Sequence, residues 1–169
     1  MVRRSSIHLL CLTVACQMAV LPLSAAPPPA PSAPDDGDRD YIEHRSPPGS
    51  PALPFSDAVM TGDTLYVAGH LGIDPRTGNA VTDPAAEARA VMDAVKATVE
   101  RAGLHMDDLA SVTVYCTDLG LYDTFNGIYG VYFHGHHPAR AFIGVATLLR
   151  GAHFEVAGVA VRRARAAAR

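Results

Sequence analysis

The spacing of hydrophobic residues changes several times along the chain. Short apolar runs rich in β-branched residues, bounded by turn residues, predict strands at residues 41–43, 55–60, 65–68, 112–117, 141–146 and 154–161. Apolar residues recur every three or four positions in residues 84–102 and 121–133, which predicts two helices. The predicted order is therefore strands, helix, strand, helix, strands.

The first helix has the clearer boundaries. Asp83 supplies an N-cap, Pro84 suits the first helical position, and Gly103 fits a C-cap. The second helix contains Gly127 and Gly130, each of which weakens a helix by about 1 kcal/mol. We therefore expect the first helix to be the more regular of the two.

This order of elements predicts an α+β fold, in which both helices pack on one face of a mixed, mostly antiparallel sheet of about six strands. With 49% hydrophobic residues in a chain of 169, one domain has ample material for a core. No further element remains to cover the other face of the sheet. We therefore expect the chain to self-associate through that face.

Two charged residues stand in the apolar C-terminal third of the chain, Arg140 and Glu155. Burying either one alone would be costly. A guanidinium matches a carboxylate through two parallel hydrogen bonds, and a carboxylate can bind and deprotonate a water. Together the two side chains could bind a small carboxylic acid and hydrolyse one of its bonds. A structural ion pair, or a position on a solvated face, is the alternative for the same two residues.

The residues around this pair carry a family resemblance. The matching segments are Pro138-Ala139-Arg140, Phe154-Glu155-Val156, and residues 54–56, 67–70, 73–78, 102–104, 124–129 and 159–163. Their order and spacing resemble those of the RidA/YjgF family of enamine/imine deaminases over about residues 41–163. The resemblance implies the family's YjgF-like (chorismate-mutase-like) fold and a homotrimer whose sheets form a central barrel with clefts between subunits.

The resemblance also implies roles for individual residues. Arg140 would bind the carboxylate of a 2-amino or 2-imino acid, and Glu155 would handle the hydrolytic water. The backbone of Gly69 and the side chain of Asn126 would contact the ligand. The implied chemistry needs no cofactor.

Three positions near this site depart from the pattern of many members. Phe55 stands in place of Tyr, Ala68 in place of Ser, and Phe142 in place of Cys. We expect a more apolar and narrower site, in which Phe55 and Phe142 contact the substrate. His70 follows Gly69 directly, so it is a further candidate for substrate binding, or else it packs at a subunit interface.

The N-terminal segment differs in composition from the rest. A basic start, an apolar stretch and the small residues before Ala26 predict a signal peptide at residues 1–25. Residues 26–40, rich in Pro, Ala and Asp, read as a disordered linker; residues 41–163 form the domain and residues 164–169 a basic tail. We expect a periplasmic or secreted protein. A lipid anchor at Cys16 is the less favoured alternative, so no stable membrane anchor is expected after cleavage.

Other chemistries find less support in the sequence. Three histidines, His134, His136 and His137, stand close together without a Cys or an acidic residue beside them, so we expect a loop rather than a metal site. Cys116 alternates with buried positions and reads as a packed thiol. A net charge of -3 gives no electrostatic argument for binding nucleic acid.

The sequence thus predicts an enzyme that hydrolyses reactive enamines and 2-imino acids to 2-keto acids and ammonia at clefts between subunits. Its expected partners are a small carboxylate substrate and two copies of itself. The alternative is an exported trimer of the same fold that binds small carboxylates, or acts as a chaperone, without deaminase activity. The altered positions Phe55 and Phe142 favour that alternative.

Overall fold

The computed structural model describes residues 37–45, 49 and 51–163. The predicted signal peptide, residues 26–36 of the predicted linker and the predicted basic tail lie outside these residues. The first strand begins at Arg39, just inside the segment predicted to be a linker. No helix in the described residues is both long enough and apolar enough to span a bilayer.

The described residues form one sheet and two α-helices. In chain order the elements are β1 (Arg39–Ile42), β2 (Ala58–Thr61), β3 (Thr64–Leu71), α1 (Pro84–Arg101), β4 (Leu109–Cys116), α2 (Tyr122–Tyr129), β5 (Ala139–Gly144) and β6 (Phe154–Val161). The strand order is β1-β2-β3-β6-β4-β5. Only the β4–β5 pair is parallel; the other neighbours are antiparallel. The predicted α+β fold with a mixed, mostly antiparallel sheet is confirmed.

Helix α1 begins and ends where its capping residues predict. The Asp83 side chain accepts a hydrogen bond from the backbone N–H of Ala86 at 2.8 Å, and Pro84 occupies the first helical position. Gly103, just after the helix, has a φ of +74°, a conformation that favours glycine. The apolar stripe of α1 is buried against β3 and β6. This helix therefore fixes one layer of the core.

The two faces of the sheet differ in their surroundings. On one face, buried side chains of the central strands, such as Leu65, Val114 and Phe154, pack against α1 and α2. The other face, which we call the open face, bears Tyr66 and Ile143, which are 55% and 41% exposed in the single chain. The open face therefore exposes large apolar side chains and lacks a second layer within the described residues.

Several element boundaries differ from those predicted. Helix α2 ends at Tyr129, and the chain continues as a 3₁₀ turn over Gly130–Tyr132. Strand β2 begins at Ala58 rather than at Phe55. Strand β5 begins at Ala139, two residues before the predicted start, so Arg140 lies inside the strand.

Candidate active site

Arg140 is held between the edge strand β5 and helix α2. It pairs in register with Val112 of β4, whose side chain is buried beneath the helices, so Arg140 lies on the helix face of the sheet. Helix α2 presents Tyr122, Asn126 and Tyr129 at spacings of four and three residues, which places them on one side of the helix. The register of β5 and the period of α2 together bring these side chains to the guanidinium.

The contacts of Arg140 leave part of its guanidinium available. Its Nη2 donates to Asn126 Oδ1 at 2.8 Å and approaches the Tyr122 hydroxyl at 3.4 Å. The guanidinium carbon lies 4.6 Å from the centroid of the Tyr129 ring, within cation–π range. No carboxylate among the described residues pairs with Arg140. Its remaining donors could therefore bind the carboxylate of a ligand.

An open pocket of about 360 Å³ lies beside this guanidinium. It is lined by Asn126, Tyr129, Gly130, His137, Pro138 and Arg140. The lining contains donors of hydrogen bonds and no acidic side chain. Burial raises the pKa of Tyr129 to about 12, although the positive charge of Arg140 opposes the rise. The tyrosine therefore stays protonated, and the pocket suits an anionic or polar small molecule.

Glu155 lies in β6, where β3 forms a bulge. Residues 67 and 70 of β3 pair with residues 158 and 156 of β6, so β3 has one extra residue at this point. A Cβ on Gly69 would overlap Glu155 Oε1, which means that the carboxylate lies directly over the glycine backbone. Within the described chain the Glu155 carboxylate has no hydrogen-bond or ion-pair partner. It is half-buried and could bind a water.

Arg140 and Glu155 do not meet within one chain. Glu155 pairs with Tyr115 of β4, whereas Arg140 pairs with Val112, so their partners in β4 have side chains on opposite faces. Arg140 therefore lies on the helix face and Glu155 on the open face. The alternative of a structural ion pair between them is wrong for a single chain.

Phe142 and Phe55 occupy different environments. Phe142 lies two residues after Arg140 on the same face, and its ring makes edge contacts with Tyr122 and Phe125 at 5.0 and 5.6 Å between centroids. Its own ring centroid is 5.7 Å from the Arg140 guanidinium carbon. Phe55 is 53% exposed in the loop before β2. Only Phe142 is therefore brought beside Arg140, and substrate contact by either residue stays a prediction.

His70 lies on the other side of the sheet from Glu155. It pairs with Val156, which is in the core, and its Nε2 is buried without a hydrogen-bond partner in the described residues. Burial lowers the pKa of His70; the nearby Asp57 opposes this and the positive Arg101 adds to it. The structure thus separates His70 from the Glu155 carboxylate, and its contact with a substrate stays a prediction.

Comparisons with known proteins identify the family of this chain. The model of a family described as Endoribonuclease L-PSP matches residues 45–162. The 2-iminobutanoate/2-iminopropanoate deaminase of Escherichia coli K12 is 37% identical over 113 residues, which are 65% of this chain and 88% of that enzyme. The chain belongs to the RidA/YjgF family.

Solved structures of RidA/YjgF proteins have the same architecture. The Escherichia coli YjgF gene product is 33% identical, with a TM-score of 0.65, and the match covers 73% of this chain and 99% of that one. Escherichia coli TdcF with bound serine is 31% identical, with a TM-score of 0.66, over 73% and 99% of the two chains.

In this RidA/YjgF chain, the neighbouring histidines His134, His136 and His137 do not form a common site. His134 interacts with Asp107 through its backbone N–H at 3.0 Å and through Nδ1 at 3.5 Å. His137 instead stacks on Tyr129, with 6.3 Å between ring centroids. No group of three potential metal-ligating side chains occurs in residues 37–163 as far as they are described.

Cys116 is buried, as expected of a packed thiol. Its Sγ donates to the backbone oxygen of Asp118 at 3.0 Å. Burial raises the pKa of this thiol, and the hydrogen bond to Asp118 opposes the rise. Cys116 therefore has the environment of a structural cysteine.

Two aromatic residues of the RidA/YjgF site were not identified from the sequence as site residues. Tyr122 and Tyr129 both contact Arg140, although the sequence shows them only as members of the predicted second helix. Their spacing relative to Asn126 is the signal that could have found them. Once one residue of a helix is expected at a ligand, those three or four positions away lie on the same side.

Proposed function

We propose that this protein hydrolyses 2-imino acids, and the enamines that tautomerise to them, to 2-keto acids and ammonia. The observation that carries the proposal is the environment of Arg140, a guanidinium without a carboxylate partner in the described chain, at the edge of a pocket lined by donors. The kinship to a 2-iminobutanoate/2-iminopropanoate deaminase supports the same substrate class. A structural relative that binds serine supports a ligand of amino acid size.

Arg140 would bind the carboxylate of the imino acid. Asn126 fixes one edge of the guanidinium, and the Tyr129 ring supports its face, so the remaining N–H groups are directed in advance of binding. A bidentate hydrogen bond would hold the substrate at its carboxylate and leave C2 facing away from Arg140. The positive charge would also draw electron density from the reacting carbon.

Glu155 would move the protons. It accepts a proton from water while the water oxygen bonds to C2, and the electron pair of the C=N bond moves to nitrogen, which takes the proton from Glu155. The product of this step is a carbinolamine. Glu155 then transfers the hydroxyl proton to the nitrogen, the C2–N bond breaks with its electron pair on nitrogen, and ammonia and the 2-keto acid leave.

A complete site would need a second copy of the chain. Because Arg140 and Glu155 lie on opposite faces of one sheet, the carboxylate opposite a bound substrate would come from a neighbouring subunit. Strand β5 is at the edge of the sheet, so the Arg140 pocket opens at a rim that a second chain can approach. The apolar open face supports association, and we propose a homotrimer with one site in each cleft.

Ribonuclease activity finds less support, although the description of the family model names an endoribonuclease. The net charge is -3, and Lys96 is the only lysine. Binding RNA by its backbone requires a basic groove, usually with aromatic side chains that stack on bases. We therefore treat imino acid hydrolysis as the function to test.

The test is the rate of imino acid hydrolysis, with an amino acid oxidase to generate substrates of several side-chain sizes. We expect the rate to exceed background and to fall at least about a hundredfold in Arg140→Ala, because a charged hydrogen-bonding anchor is lost. Arg76→Ala is the matched control, since Arg76 is exposed and pairs only with Asp74. A folded protein that binds 2-keto acids without accelerating hydrolysis would instead support the binding-only alternative.

A further inference from the structure

Glu87 is a charged side chain buried completely in the core. It lies in the first turn of α1 and is 0% exposed. Its Oε1 accepts hydrogen bonds from the backbone N–H of His153 at 2.6 Å and of Phe154 at 3.0 Å. Its Oε2 is 2.6 Å from Nδ1 of His153. A buried carboxylate is costly unless it is paired, so these three bonds hold Glu87 in one orientation.

Glu87 stands where β3 and β6 separate. The ladder between the two strands ends at the pair Leu71–Glu155. Gly72 follows, and a Cβ there would overlap the backbone oxygen of Glu87, so α1 and the end of β3 are in close contact. Beyond the ladder, the backbone N–H groups of Phe154, the first residue of β6, and of His153, which precedes it, donate to the Glu87 carboxylate. Glu87 thus joins α1, β3 and β6 directly beside Glu155.

The position of Glu155 depends on this junction. Its carboxylate lies over Gly69, which β3 carries, whereas Glu155 itself belongs to β6. No side chain in the described part of the chain holds the Glu155 carboxylate. Its position is therefore set by how β6 runs relative to β3, and a misplacement of about 1 Å can lower a rate by as much as 10²-fold.

We propose that Glu87 is a positioning residue for Glu155. By fixing the start of β6 against α1 and the end of β3, it holds the Glu155 carboxylate over the bulge at Gly69. His153 shares this role, because its imidazole makes the third bond to Glu87. The inference rests on the proposed deaminase function, in which Glu155 transfers protons.

Two substitutions at Glu87 separate positioning from simple packing. Glu87→Gln keeps an oxygen that can accept both backbone N–H groups, whereas Glu87→Ala removes all three bonds. We expect Glu87→Ala to lower kcat by about tenfold or more with KM within about threefold, because the carboxylate of the substrate is bound at Arg140. Glu87→Gln should recover most of kcat. Glu100→Ala, on the same helix and paired only with Lys96, is the control and should keep kcat.

His153→Ala keeps the inference testable if Glu87→Ala fails to fold. The His153 side chain is 35% exposed, so its loss threatens the core less, and we expect a smaller fall in kcat with KM unchanged. The secondary structure and oligomeric state of each variant are compared with those of the original protein. If Glu87→Ala or His153→Ala folds and keeps the kcat of the original protein, the positioning role is wrong, whereas the proposed function still stands. If the protein without any substitution hydrolyses no imino acid, the proposed function is wrong and the positioning role falls with it.

Discussion

The Arg140 guanidinium donates to the Asn126 side chain at 2.8 Å, and this bond links the edge strand β5 to helix α2. It leaves the other donors of Arg140 without an acidic partner among the described residues. The geometry is that of an anion-binding group fixed before the anion arrives. The proposed substrate carboxylate would complete it.

The first prediction concerns this bond. Asn126→Ala should raise KM by about tenfold, because a hydrogen bond to a charged group contributes about 1.5–3 kcal/mol and its loss lets the guanidinium move. The fall in kcat should be smaller, since Arg140 itself remains. Steady-state kinetics with one imino acid measure both constants. An unchanged KM would show that Asn126 does not fix Arg140 for binding.

The second prediction concerns the hydroxyl group of Tyr129. It is buried and has no hydrogen-bond partner in the described residues, so its removal should relieve a cost of desolvation. We expect Tyr129→Phe to raise the free energy of unfolding by about 1 kcal/mol and to leave kcat/KM within about twofold, because the aromatic face beneath Arg140 is kept. Urea denaturation and kinetics measure these quantities. A large fall in kcat/KM would instead assign the hydroxyl to ligand binding.

Much of the fold was predictable from local sequence signals. The boundaries of α1 follow from Asp83, Pro84 and Gly103, each of which acts on its own turn of the backbone. The order of strands and helices likewise predicted the α+β class. The predicted end of α2 was wrong. A 3₁₀ turn begins at Gly130, and its apolar residues continue the spacing that is typical of a helix.

The relative placement of the site residues was not predictable in the same way. The sequence indicated Arg140 and Glu155 as a chemical pair, but their faces depend on the register of β5 and β6 against β4. Register is a property of long-range pairing, and a shift of one residue moves a side chain to the other face. The hydrogen bonds of Glu87 to His153 and Phe154 link residues 66 and 67 positions apart, beyond the reach of local patterns.

The third prediction concerns stability at acidic pH. Burial alone would raise the pKa of Asp57, but hydrogen bonds from His44 and Arg101 outweigh it and hold the pKa below its usual range. Burial lowers the pKa of His70. Both groups bind a proton more readily in the unfolded chain, so each contributes stability that is present above its unfolded pKa and lost as pH falls through its folded pKa.

Stability should therefore fall in two stages on acidification, the first below about pH 6.5 from His70 and the second below about pH 3.9 from Asp57. Thermal unfolding between pH 8 and pH 3 measures this. His70→Gln should flatten the first stage, and His136→Gln, at an exposed histidine, should not. An unchanged first stage in His70→Gln would exclude His70 as its source.

The fourth prediction concerns assembly. Tyr66 lies on the open face opposite Val159, and it is 55% exposed in the single chain. Tyr66→Asp should dissociate the proposed trimer, because a charge would be buried at an apolar interface, and hydrolysis should be lost with the trimer. Tyr66→Phe is the control. Light scattering after gel filtration measures the mass; a trimer that persists in Tyr66→Asp would show that the open face is not the interface.

The most direct test of the account is to mix two inactive variants. Arg140→Ala and Glu155→Ala are co-expressed with different affinity tags, and the mixed oligomers are purified through both tags. If each site takes Arg140 from one chain and Glu155 from the next, every trimer that contains both variants has one intact site in about three. The mixed oligomers should therefore regain about one third of the hydrolysis rate of the original protein. Hydrolysis no faster than in either variant alone would contradict a site shared between subunits.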